Sequence, residues 1–213
     1  MPTDFLFDGP EDARFTLLLA HGAGAAMDSA SMNATAKALA AAGIRVARFE
    51  FSYMAARRTG TRRPPPKAET VIPEYVAAVV DLGPTNCPLL IGGKSFGGRV
   101  ASMAADALFD AKRIAGLVCL GYPFHPPEKP TQLRTAHLKA LKTPTLIVQG
   151  TRDEFGVPDE VKTYDISPSV ELLWLEDGDH DLKPRKAISG FTTAQHLATL
   201  ADAVHAFATR ISA

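Results

Sequence analysis

Cysteine is scarce in this chain: of 213 residues, only Cys87 and Cys119 carry a thiol. Two such residues far apart exclude a disulfide framework, and their spacing fits neither a Cys-x-x-Cys redox pair nor a zinc ligand set. They read as reduced, structural thiols. Net charge is lacking too, because 23 basic residues balance 23 acidic ones. Without a field of one sign, neither nucleic acid nor a membrane surface is expected as a partner. Long apolar runs are also missing. The longest uncharged one, Ile114 to Phe124, falls well short of the roughly 18 residues that suggest a membrane span. Asp4, Asp8, Glu11 and Asp12 stand where a signal peptide would be basic, so the expected compartment is the cytoplasm.

What is present is an alternation of two patterns. Short apolar, β-rich runs occur at Phe15–Ala20, Ile44–Phe51, Leu89–Gly92, Ile114–Leu120, Thr145–Gln149 and Val170–Leu175. Most contain almost no polar residue, as expected when both faces of a parallel sheet are covered. Between them, apolar residues recur at helical spacing, as in Ile72, Tyr75, Val76 and Val79, or Leu197, Leu200, Ala201, Val204 and Phe207. Pro73 suits a helix start, and Gly43 suits a helix end. Alternating strand and helix predicts a single α/β domain over residues 1–213, a sandwich of about six to seven mainly parallel strands with helices on both faces. The stretch from Arg57 to Lys67, five basic residues around Pro64-Pro65-Pro66, is too polar and proline-rich for helix or strand. It is expected to be a surface loop, either a solvated connector or a second wall, a subsite for an anionic substrate or a partner contact.

The sharpest signal is Gly93-Lys94-Ser95-Phe96-Gly97, between the strand Leu89–Ile91 and a helical stretch. A Gly-x-Ser-x-Gly run in that setting predicts a nucleophile elbow, a turn so tight that glycine must flank the serine. The Phe96 N–H at the helix start would then be free for an oxyanion. A phosphate loop competes for the same glycines, but it needs a glycine at position 88, which is Pro88. A dinucleotide fingerprint at Gly22 and Gly24 likewise fails, because its third glycine position is Met27.

A serine nucleophile needs a base and an orienting acid. Asp153 and His180 each follow a predicted strand, and parallel strands end on one edge of the sheet, so both loops are expected to converge on Ser95. The Ala23 N–H, in the small-residue turn after the first predicted strand, is the second candidate oxyanion donor. His21, Gly22, Gly24, Tyr122 and His125 are candidate pocket-lining residues, His21 with an alternative structural role. His137 and His205 are placed on helices and His196 near a helix start, away from the strand ends. No metal or organic cofactor is implied.

Together the His21–Ala25 turn, Gly92–Arg99, Gly121–Pro127, Gln149–Gly156 and Gly178–Leu182 resemble the α/β-hydrolase superfamily. The resemblance is to its dienelactone-hydrolase-like branch and to the small domain shared by the testis-expressed 30 protein and the third subunit of the nonspecific lethal complex. It implies Ser95 as nucleophile, His180 as base and Asp153 as acid. Dienelactone hydrolases carry cysteine where this chain has Ser95, so their substrate is not carried over. The expected activity is hydrolysis of a small-molecule carboxylic ester or thioester. The alternative is a non-catalytic binding or scaffold module, as the chromatin-complex relatives suggest. The short connection after Leu120 leaves no room for a large lid.

Overall fold

The computed structural model describes residues 2–212. Seven strands form one sheet: β1 (Leu6–Asp8), β2 (Phe15–Ala20), β3 (Ile44–Phe49), β4 (Leu89–Lys94), β5 (Gly116–Leu120), β6 (Thr145–Gly150) and β7 (Val170–Leu175). Their order across the sheet is β1-β3-β2-β4-β5-β6-β7. All neighbours run parallel except β1, which pairs antiparallel with β3. The expected α/β-hydrolase sandwich is therefore present. β1 alone was not anticipated; at three residues it is too short to show a period.

Helices cover both faces. α1 (Ala30–Ala41) and α7 (Thr193–Ile211) pack on one side, α3 (Ile72–Leu82) and α4 (Phe96–Asp110) on the other; the one-turn helices α5 (Pro158–Val161) and α6 (Lys186–Ser189) lie in the segments after β6 and β7. The alternation along β2 shows how the sequence dictates this. Leu17 and Leu19 join the core under α1 and α7, while Leu18 and Ala20 join the core under α3 and α4. Each of these leucines is fully buried, worth about 1.5–3 kcal/mol apiece. α7 begins in a capping box in which Thr192 and Gln195 satisfy each other's backbone N–H groups.

Two expectations change. The basic stretch is not wholly loop, because Arg57 and Arg58 close the short helix α2 (Ser52–Arg58). Arg58 is held there by Glu50 and Asp28; after the turn at Thr59 and Gly60, residues 61–67 carry no regular structure. Nor does His137 lie on an α-helix. It precedes a single 3-10 turn, Leu138–Ala140, in the connection from β5 to β6. That turn is the only helical element in the connection, so no lid domain covers the sheet edge. Among the described residues, no helix is long and apolar enough to cross a membrane.

Reading the order outward, the chain passes from β2 to β3 on one side and then returns to β4 on the other. The crevice at this reversal, beyond the carboxyl ends of β2 and β4, is where α/β sheets bind ligands.

Candidate active site

Ser95 follows β4 directly, with φ 49° and ψ −112°. A non-glycine residue held at positive φ stores of order 1–3 kcal/mol of strain, which the surrounding fold must impose. Here the imposing contacts are explicit. A Cβ on Gly93 would stand 2.4 Å from the Gly97 carbonyl carbon, and one on Gly97 would stand 2.5 Å from the His21 carbonyl oxygen. Backbone thus packs on backbone where any side chain would intervene, and Ser95 is lifted to the crevice.

His180, in the loop after β7, meets it: Ser95 Oγ and His180 Nε2 are 2.8 Å apart. On the other side of the ring, Nδ1 lies 3.0 and 2.9 Å from the two carboxylate oxygens of Asp153, in the loop after β6. Asp153 is 0% exposed, so its charge must be satisfied internally. Gln149 Nε2 donates to Oδ2 at 2.8 Å, and the Phe155 N–H donates to Oδ1 at 2.9 Å. With every carboxylate oxygen engaged, Nδ1 of His180 carries the proton toward Asp153, and Nε2 is left to accept from Ser95.

Ala23 and Phe96, whose N–H groups are the two candidate oxyanion donors, border the same cleft as Ser95. Among the described residues neither is taken up by a hydrogen bond. The Ala23 peptide is fixed by the Tyr53 hydroxyl, which donates to its carbonyl oxygen at 3.1 Å.

The five candidate lining residues fare differently. His21 is fully buried, with Nδ1 2.7 Å from the Gly22 carbonyl oxygen and Nε2 accepting from the Phe51 N–H at 3.1 Å. Burial holds its pKa below the ordinary histidine value. It is a structural hydrogen-bonder and forms no wall. Tyr122 and His125 are buried also; Tyr122 donates to the Arg134 carbonyl oxygen, and His125 pairs with Glu160 at 3.2 Å. Gly24 is exposed outside the cleft. Gly22 comes nearest, since a Cβ there would lie 3.9 Å from Ser95 Cβ. The cleft, of about 410 Å³, is walled instead by Pro65, Pro66, Pro123, Phe155, Arg99 and Arg134.

Several participants escaped the sequence reading. Phe155 covers His180, with ring centroids 4.2 Å apart and planes 32° apart. Gln149 binds Asp153 and also clamps the Tyr122 backbone, accepting from its N–H at 2.7 Å. Its position at the end of β6, four residues before the acid, was the available signal. Lys94, inside the serine motif, turns its largely buried ammonium to the His180 carbonyl oxygen at 2.5 Å, with Asp181 at 3.6 Å. Burial lowers its pKa, against the pull of Asp181 and Asp153. Among the described residues no cluster of three or more His, Cys, Asp or Glu is arranged to hold a metal ion.

A serine, a histidine and a buried aspartate thus stand in one hydrogen-bonded line at a strand-to-helix elbow. The family model for the alpha/beta hydrolase domain matches residues 13–209, and the chain belongs to that family. Solved structures of the same fold include an α/β serine hydrolase without lid from Xanthomonas campestris, at 21% identity and TM-score 0.71, covering 98% of this chain and 88% of that one. Dienelactone hydrolase from Anabaena variabilis is 20% identical with TM-score 0.70, covering 98% and 91%. Est1E from Butyrivibrio proteoclasticus is 16% identical with TM-score 0.69, covering 100% and 98%.

Proposed function

We propose that this protein is a serine hydrolase that cleaves a small carboxylic ester or thioester through an acyl-serine intermediate. The observation that carries this reading is the unbroken Ser95–His180–Asp153 hydrogen-bond line at the edge of an open cleft. Ser95 Oγ attacks the substrate carbonyl as His180 Nε2 takes its proton. Asp153, fixed by Gln149 and Phe155, keeps the imidazole in the required tautomer and stabilises its protonated form. The N–H groups of Ala23 and Phe96 receive the negative oxygen of the tetrahedral intermediate. A donor in such a place is worth roughly 10²–10³ in rate. His180 then gives its proton to the leaving oxygen or sulfur, and water repeats the sequence on the acyl-serine. Residues 1–213 are proposed to act as one catalytic domain. The unpaired thiols Cys87 and Cys119 support a reducing, cytoplasmic setting.

Labelling with a fluorophosphonate tests the reading. Wild-type protein should be labelled and Ser95→Ala should not; an unlabelled wild type would leave a binding module on the same fold.

A further inference from the structure

Two guanidinium groups share the cleft with the nucleophile, and their origins make this more than a surface coincidence. Arg99 is one helical turn after Ser95, its N–H bonded to the Ser95 carbonyl oxygen at 3.0 Å. Residues four apart share a helix face, and side chains lean toward the helix N-terminus. Arg99 therefore rises beside Ser95. Arg134 arrives from the connection after β5, whose backbone is pinned twice: its N–H donates to the Phe124 carbonyl oxygen at 2.7 Å, and its own carbonyl accepts from Tyr122 at 3.0 Å.

The two cations are poorly compensated. Arg99 makes one ion pair, to Glu69 at 2.6 Å through a single terminal nitrogen, and its buried Nε has no partner. Arg134 forms no ion pair among the described residues. Partial burial and the charge of Arg99 both hold its pKa below the ordinary arginine value. Lys67 adds a third positive charge at the rim. Positive groups gathered in a cleft at a cost to one another are suited to an anionic ligand.

Resting on the serine-hydrolase reading, we propose that Arg99 and Arg134 form a carboxylate subsite, so that the substrate is a half-ester or half-thioester of a short dicarboxylic acid. The anion belongs to the acyl part. The leaving group must take its proton from His180, which does not wall this cleft. On the far side of Phe155, His180 borders a hollow with Arg152, Glu154, Asp179 and Asp181; three carboxylates outweigh the one guanidinium, which is itself paired with Asp177 at 3.4 Å, so the hollow would repel an anionic leaving group. In the reaction, the bond from the acyl carbon to the leaving oxygen or sulfur breaks, and that atom takes the proton relayed from Ser95. Ser95 Oγ has by then bonded to the acyl carbon; water adds its hydroxyl to that carbon as the Ser95 Oγ–acyl bond breaks and the water's other proton returns to Oγ through His180, so the products are the dicarboxylic acid and a neutral alcohol or thiol.

The test compares monoethyl glutarate with ethyl glutaramate, in which an amide replaces the carboxylate. A carboxylate gripped by two guanidiniums should give a kcat/KM ratio of at least about tenfold in favour of the half-ester. Arg134→Gln should bring the ratio near one, with Arg134→Lys between. Glu69→Gln should move it the other way, because it removes the carboxylate that competes for Arg99. Calorimetric titration of Ser95→Ala with monoethyl glutarate reads the subsite without turnover. Binding that weakens with salt and with Arg134→Gln, but no turnover by wild type, keeps the subsite and sinks the hydrolase reading. Equal turnover of both esters keeps the hydrolase and overturns the subsite. Neither selective turnover nor binding overturns it as well.

Discussion

The ammonium of Lys94 donates to the backbone carbonyl oxygen of His180 across 2.5 Å. The residue just before the candidate nucleophile therefore holds the loop that carries the candidate base. Two segments 86 positions apart in sequence are locked by a bond that leaves both reacting side chains free. Lys94→Met keeps the apolar stem and deletes this donor. It should lower kcat by about ten- to a hundredfold through loss of alignment, with KM changed less than about threefold. An equal change in both constants would mean that Lys94 shapes the binding wall instead.

Asp153→Asn isolates the charge from the architecture. An asparagine Oδ1 can still accept from the Phe155 N–H, but its amide nitrogen would face His180 Nδ1 and favour the wrong tautomer. Turnover of an activated acetate ester should fall by at least about a hundredfold, toward the 10⁴ seen for the analogous protease substitution. The far-UV spectrum should be unchanged. Activity surviving within about tenfold would assign the role to another carboxylate, such as Asp179 or Asp181 beside His180.

Ser95 pays for its exposure in backbone strain, which makes a stability prediction. Ser95→Gly relieves a φ of 49°, while glycine's greater freedom in the unfolded chain offsets part of the gain. A net stabilisation of about 1 kcal/mol, or roughly 2–4 °C in Tm for a chain of this size, should accompany complete loss of labelling. A lower Tm would mean that the Ser95–His180 hydrogen bond contributes more than the strain costs.

His137 predicts the acid response of the fold. Its Nε2 lies 2.8 Å from Ser102 Oγ, whose proton goes to the Arg99 carbonyl oxygen at 2.7 Å, so the ring donates through Nε2. Burial, with Arg99 close by and Glu69 and Asp106 opposing, lowers its pKa to about 4. Between the ordinary value of 6.5 and about 4, the unfolded chain binds a proton that the folded one refuses. Stability contributed by this site is thus complete above pH 6.5 and is lost as the pH falls toward 4. The full separation corresponds to about 3 kcal/mol, reduced to about 2 kcal/mol by partial exposure of the ring. Denaturant midpoints measured from pH 7 to 4 should fall less steeply in His137→Gln than in the wild type. Parallel slopes would remove His137 as the cause.

The sheet and the Ser95–His180–Asp153 meeting were legible because each rests on local pattern. Apolar runs such as Leu17–Ala20 mark buried strands, and parallel strands bring their following loops to one edge. The walls of the cleft were not legible. Tyr122 and His125 follow β5 as a pocket residue would, yet they turn into the core to satisfy Arg134 and Glu160, a choice made by tertiary packing. Lys94 and Arg99 stood inside the quoted motif, but what their charges meet, the His180 carbonyl oxygen and the Glu69 carboxylate, only the folded chain supplies. Arg57 and Arg58 looked like loop by composition and became helix because Glu50 and Asp28 bind the second of them.

Acyl-chain selectivity follows from how the cleft is closed. A deep apolar tunnel gains about 0.8 kcal/mol for each methylene it buries, or nearly fourfold in kcat/KM. Here the cleft of about 410 Å³ is lined by Pro65, Pro66 and Pro123 together with the guanidinium-bearing Arg99 and Arg134. A butyryl chain can lie against the prolines and Phe155. The outer methylenes of an octanoyl chain would have to displace water from two guanidinium groups, which costs more than their burial returns. Among p-nitrophenyl esters, kcat/KM should peak between acetate and butyrate and fall at least about tenfold by octanoate. The rate should not jump when a longer ester passes its solubility limit, since the β5–β6 connection has no lid helix to open at an interface. A preference for palmitate over butyrate would show that the cleft extends past the arginines, and the short-chain assignment would then have to be abandoned.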